Sequence, residues 1–145
     1  MSTLSHILAG KPHVVHSIAP AESILAATQR MNRHKIGALL VMESGHIVGI
    51  LTERDILQRV IAADKNPHLT TVGEAMTRDV IFCEPETPLQ EASSIMKTHR
   101  VRHLPVCDQD GQLLGMVSIG DLNAQHASEQ EITIHYLHEY VYGRV

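Results

Sequence analysis

The sequence predicts a mixed α/β fold in which one β-α-β-β-α unit is written twice. Three observations predict it. Shifted by 65 positions, the chain matches itself: Val15 meets Val80, Pro20 meets Pro85, Ala27 meets Ala92, Met31 meets Met96, His34 meets His99 and Leu39 meets Leu104. In each copy, a stretch with helical spacing precedes two short apolar runs around a Gly-containing turn, and a second helical stretch follows. The one length difference, Asp108-Gln109-Asp110-Gly111 against Glu43-Ser44-Gly45, falls inside that turn, where an insertion is tolerated. Beyond it the shift becomes 66, and Gly49 meets Gly115, Thr52 meets Ser118 and Asp55 meets Asp121.

Each copy begins with a short extended stretch, His13–Ile18 or Asp79–Cys83, ended by a Pro-containing turn. The first helices are predicted over Ser23–His34 and Pro88–His99, with Pro88 in a first turn where a missing N–H costs nothing. Strands follow at Gly37–Met42 with Ile47–Leu51, and at His103–Cys107 with Leu113–Val117, turning at Ser44-Gly45 and Asp110-Gly111. The second helices are placed at Glu53–Ala63 and from Gly120 to about Ser128. The division that results is an N-terminal segment 1–10, a first repeat 11–63, a linker 64–75, a second repeat 76–128 and a tail 129–145. In the linker, Asn66-Pro67 breaks the helix before it and Thr71–Met76 has the makings of a short helical turn. The tail should be helical from about Thr133 to Tyr142 and stop at Gly143. A repeat of about 50 residues buries little surface alone, so the two are expected to pack as one pseudo-two-fold module.

Composition narrows the function. The 145 residues are 43% hydrophobic, with no Trp and one Phe, so the core must be aliphatic. A net charge of −4 argues against a nucleic-acid surface. No run approaches a membrane span, and the N-terminus lacks a signal-peptide apolar stretch, which makes a cytoplasmic location the expectation. Cys83 and Cys107 lack CxxC spacing and read as buried thiols. Eleven histidines raise the question of a metal, but neither His99 with His103 nor His135 with His138 has the arithmetic of a zinc site, so none is assigned. Walker, GxSxG, HExxH and GxGxxG patterns are missing, and no enzyme activity is expected.

The chemistry-bearing pattern is Gly, two apolar residues, Thr or Ser, two variable residues, Asp. It stands at Gly49-Ile50-Leu51-Thr52-Glu53-Arg54-Asp55 and at Gly115-Met116-Val117-Ser118-Ile119-Gly120-Asp121. Thr52 and Ser118 sit where a strand runs into a helix. A hydroxyl there caps the helix, and the amides beside it attract anions such as phosphate. A carboxylate at Asp55 or Asp121 accepts two hydrogen bonds, which matches the paired hydroxyls of a ribose. Capping alone would also account for both residues.

These two heptads, each behind an apolar strand, resemble the CBS family over roughly residues 11–127. The resemblance implies the tandem arrangement called a Bateman module, as in stand-alone bacterial CBS-pair proteins that carry a C-terminal helix. It implies a regulatory ligand, an adenosine-containing small molecule such as AMP, ADP, ATP or NADH, and no catalytic cofactor. It also implies that each cleft draws on both repeats. The first would combine Ala38, Ile50, Thr52, Arg54 and Asp55 with Thr77, Ile81, Val101 and Arg102. The second would combine His103, Met116, Ser118, Gly120 and Asp121 with Lys11, His16, Ile36 and Gly37. Apolar members would hold the base, and Arg54, Arg102, His103 and Lys11 would meet phosphates. Arg54 is matched by Gly120 and Gly37 by Arg102, so the clefts should differ in charge and affinity. With no effector domain recognised, output in signal transduction would pass through an unidentified effector protein or a homodimer. The tail's Tyr136 and Tyr140, and the apolar Ile56, Leu57, Val60 and Ile61, are the candidate dimer contacts. The alternative is a structural interaction module with vestigial clefts.

Overall fold

In the computed structural model, residues 2–12 and 14–142 are described. They form two compact units, one of residues 14–81 and one of residues 2–12 with 82–142. Each repeat is therefore grouped with the segment that precedes the other repeat in sequence. The first repeat holds the linker, and the second holds the N-terminal segment.

In the 14–81 unit the elements are β1 (Ser17–Ile18), α1 (Ile24–His34), β2 (Ala38–Glu43), β3 (His46–Thr52), α2 (Glu53–Ile56) and α3 (Val72–Ala75). Helix α2 widens into a π-helical stretch, Leu57–Ile61, closed by the Ala62 amide on Leu57 O at 2.8 Å and the Lys65 amide on Val60 O at 2.9 Å. The sheet order is β1-β2-β3. β1 runs parallel to β2, and β2 runs antiparallel to β3, with Ala38 opposite Thr52. Ser44 and Gly45 both have positive φ, at 53° and 78°, the requirement of a two-residue hairpin turn that matches strand twist. Helix α1 starts because the Ser23 hydroxyl accepts the Ala26 amide at 3.1 Å, and it ends on Lys35 in the left-handed region. Its Ile24, Ala27 and Met31 pack with Ile18, Leu39, Val41, Leu51, Val60 and Val72 into one aliphatic core.

The other unit contains α4 (Leu4–Ala9), α5 (Leu89–His99), β4 (His103–Cys107), β5 (Leu113–Ser118) and α6 (Ile119–Tyr142). Strands β4 and β5 are antiparallel, with His103 opposite Ser118. The extra residue of the second hairpin is absorbed by Asp108. Its carboxylate accepts the Asp110 and Gln112 amides at 2.9 Å each, while Gly111 takes φ 80°.

Several expectations are corrected. The extended stretches pair less than predicted. Only Ser17–Ile18 forms a strand, and of Asp79–Cys83 only Cys83 bridges, to Val106, because the Val80 amide turns back onto Arg78 O at 3.0 Å. His13 lies outside the described residues. Pro88 is the N-cap of α5 and not its first helical residue. The second helix and the tail are one helix, α6, since no Gly or Pro occurs between Asp121 and Tyr142 to stop it. The side chains from residue 131 onward, with Tyr136, Tyr140 and both tail histidines, and Gly143 itself, lie outside the described residues. Helix α4 was not expected. It is six residues long, with buried Leu4 and Ile7, and is fixed by the Leu4 amide on Thr87 O and the Ser5 amide on Pro85 O.

Candidate functional site

Both heptads form a reciprocal cap at the strand–helix junction. The Thr52 hydroxyl accepts the Asp55 amide at 3.2 Å, and Asp55 Oδ2 accepts the Thr52 amide at 3.0 Å. The Ser118 hydroxyl accepts the Asp121 amide at 3.1 Å, and Asp121 Oδ2 accepts the Ser118 amide at 2.8 Å. Capping is thus a real role of these residues in both copies. Preceding carbonyls complete each helix start: Gly37 O accepts the Glu53 amide at 3.0 Å, and Arg102 O accepts the Ile119 amide at 2.8 Å.

To each junction the grouped leading segment adds one more side chain. In the 14–81 unit, Ile50 and Thr77 exchange two backbone hydrogen bonds of 2.9 Å, and the Thr77 hydroxyl donates to Asp55 Oδ1 at 3.0 Å. This approach explains Gly49: a Cβ there would lie 2.6 Å from Met76 Sδ and 2.8 Å from Thr77 O. Arg59, which the sequence reading missed, donates to Ala75 O at 3.1 Å and Met76 O at 2.8 Å and stands 4.0 Å from Asp55. Its spacing of four from Asp55 on a helix was the available signal.

In the second unit the equivalent donor is Lys11. Its ammonium donates to Asp121 Oδ2 at 2.7 Å and to Met116 O at 2.9 Å. Partial burial pushes the Asp121 carboxyl up, but the Lys11 ammonium and the Ser118 amide and hydroxyl outweigh it and hold the group below its ordinary value. Gly115 leaves room for Leu8, whose Cδ2 would lie 2.6 Å from a Cβ placed there.

The structure thus brings Ala38, Ile50, Thr52, Asp55 and Thr77 to one junction, and Lys11, His103, Met116, Ser118 and Asp121 to the other. Arg54 is exposed on the first turn of α2, and Gly120 is exposed on that of α6. Ile36, Gly37 and Ile81 are half-buried in the 14–81 unit, whereas Val101, half-buried, and Arg102, exposed, belong to the other. His16 lies in the 14–81 unit, its ring stacked on His34 with centroids 3.8 Å apart. Desolvation, the His34 ring and Arg30 all push its pKa down. A cavity of about 380 Å³ lined by Ser2, His6, Leu89, Gln90, His126 and Glu129 involves none of the expected ligand residues. Cys83 and Cys107 are free and buried, and burial raises both thiols, with Glu91 and Asp108 adding to it. Among the described residues, no group of three or more metal-ligating side chains comes together, and no helix is long and apolar enough to cross a membrane.

A capped strand–helix junction, repeated on two small α/β units, defines a tandem-repeat protein. The chain belongs to the CBS domain family: the family's model matches residues 11–62 and 72–125. It is similar to the CBS domain-containing protein YhcV of Bacillus subtilis, 35% identical over 116 residues that cover 80% of this chain and 81% of that protein. It is similar in structure to a protein with CBS domains from Burkholderia ambifaria, with a TM-score of 0.86, 36% identity, and coverage of 89% of this chain and 96% of that one. A second similar structure is Hypoxic Response Protein I with two coordinated zinc ions, at a TM-score of 0.68 and 33% identity, covering 87% and 99% of the two chains.

Proposed function

We propose that this CBS pair is a regulatory module that binds an adenosine-containing nucleotide, AMP, ADP, ATP or NADH, and passes the signal to a partner protein in the cytoplasm or across its own dimer. Regulation, and not catalysis, is the usual work of CBS pairs. The observation that carries the reading is the paired carboxylate at the two strand–helix junctions, each with a hydroxyl and amides around it. That set of groups suits a ribose and the phosphate beside it. Binding would favour one conformation of the module, which a partner then reads.

Thermal denaturation of the full chain with each nucleotide tests it. A ligand at a hundred times its dissociation constant adds about 2.7 kcal/mol, so a clear rise in Tm is expected with at least one nucleotide and none with ribose. No rise with any of the four at millimolar concentration would refute the reading. A second reading, an interaction module with vestigial sites, is favoured by one observation: Leu57 and Ile61 on the π-helical stretch are 61% and 58% exposed. It predicts that Leu57→Glu with Ile61→Glu lowers the oligomeric state seen by light scattering, whether or not nucleotide is present.

A further inference from the structure

At the entry to β1, two imidazoles lie face to face. The His16 and His34 rings have centroids 3.8 Å apart and are tilted by 20°. His16 is half-buried and immediately precedes β1, whereas His34 is exposed and is the last residue of α1. The ladder at this edge is short. β1 has two residues, and the Leu40 amide donates to His16 O at 3.2 Å. Arg30 of α1 donates to Ser17 O at 2.7 Å and reaches Glu22 at 3.5 Å. Within the 14–81 unit, α1 thus sets His34 and Arg30 against His16, with Arg33 and Lys35 beside His34 in sequence. Strand β2 presents Leu40 opposite Ser17, and its charged residue, Glu43, pairs with His46 at the hairpin end. Glu22, from the turn after β1, supplies a carboxylate, but Arg30 already engages it.

We propose that the His16–His34 stack is a proton-released clasp: at neutral pH it holds the entry of β1 against the end of α1, and in mild acid it opens and frees Val14–Ser17 from the sheet edge. One imidazolium can rest on a neutral ring, since a cation is attracted to an aromatic face. Two imidazoliums stacked at 3.8 Å repel each other, and the Arg30 guanidinium adds a third positive charge. Burial first, then His34 and Arg30, hold the His16 pKa below its ordinary value. The closed clasp therefore binds fewer protons than the open one. Its hold is complete above the free-histidine value of about 6.5 and weakens as the pH falls below it. Ile18, 3% exposed, stays in the aliphatic core, so the opening is confined to the edge. This clasp is independent of the nucleotide reading above.

The test is a histidine-ring NMR titration of the full chain from about pH 7.5 to about pH 5, with amide exchange followed over the same range and corrected for intrinsic rates. His16, assigned by comparison with His16→Gln, should titrate below free histidine. The Leu40 amide should lose protection on acidification, while the Ile50 amide, bonded to Thr77 O, keeps its own. His34→Phe keeps an aromatic face at an exposed position and cannot take a proton. In that variant the His16 midpoint should rise by roughly half a pH unit, and the acid loss at Leu40 should shrink. The clasp is overturned if His16 titrates at or above free histidine, if Leu40 protection does not change with pH, or if Leu40 and Ile50 lose protection together. It is overturned equally if His34→Phe leaves the acid loss unchanged. The wild-type titration decides even where the variant does not fold.

Discussion

In the 14–81 unit the Thr77 segment is locked to β3 through the backbone, by two hydrogen bonds with Ile50. In the other unit the Lys11 segment meets β5 through side chains, with Leu8 over Gly115 and the Lys11 ammonium on Met116 O and Asp121. The same heptad is thus joined to its neighbouring segment through the backbone in one copy and through side chains in the other. A backbone pair has one geometry. A lysine on a four-carbon stem has many, and it keeps 37% of its side-chain surface in water. Duplication lets one copy carry structure while the other keeps its polar groups accessible.

The sharpest way to break this comparison is at the two glycines. Gly49→Ala must push aside the Thr77 backbone and the Met76 thioether, so a loss of about 1–3 kcal/mol is expected in denaturant unfolding. Gly115→Ala meets only the end of Leu8, which can rotate, and should cost less. Equal losses would mean that the Lys11 segment is as rigid as the Thr77 segment. Next in size, Asp55→Ala strands the Thr52 amide and the Thr77 hydroxyl beside a buried junction. It should cost about 1–3 kcal/mol, more than Asp121→Ala at its half-exposed site. The smallest effect is electrostatic. Because the folded Asp121 carboxyl titrates below its unfolded value, its contribution is present above the unfolded value and disappears as the pH falls through the folded one. Solvent screening of a lysine more than a third exposed keeps this under about 1 kcal/mol. Lys11→Met should therefore flatten the acid limb of a Tm-against-pH curve and leave its neutral side nearly level.

Much of the fold was legible in the sequence because it depends on local rules. Helix α1 follows its Ile24, Ala27 and Met31 spacing, and the hairpins follow Ser44-Gly45 and Gly111. The Thr-x-x-Asp and Ser-x-x-Asp caps were also readable, since four consecutive residues build each one. Helix α4 was not readable. Six residues carry too little periodicity, and its stability comes from Thr87 and Pro85, far along the chain. The resemblance grouped Thr77 with Asp55 and Lys11 with Asp121, and the structure joins both pairs by hydrogen bonds. Nothing in the sequence reported which oxygen each donor reaches. That depends on side-chain geometry, as does the stacking of His16 on His34.

The grouping of residues 2–12 with the second repeat has a consequence for how the chain is made. The 14–81 unit is continuous, so all of its parts have been synthesised once Ile81 is added. Lys11 and Asp121 stand 110 positions apart, and α4 has to wait for Thr87 and Pro85 before its buried Leu4 and Ile7 find cover. On the ribosome, then, residues 2–12 are made before the 14–81 unit and placed after it. Closing so long a loop slows the step that completes their unit. Until that step the apolar face of α4 is open to other chains, so conditions that slow translation past the first repeat lengthen the window for misassembly.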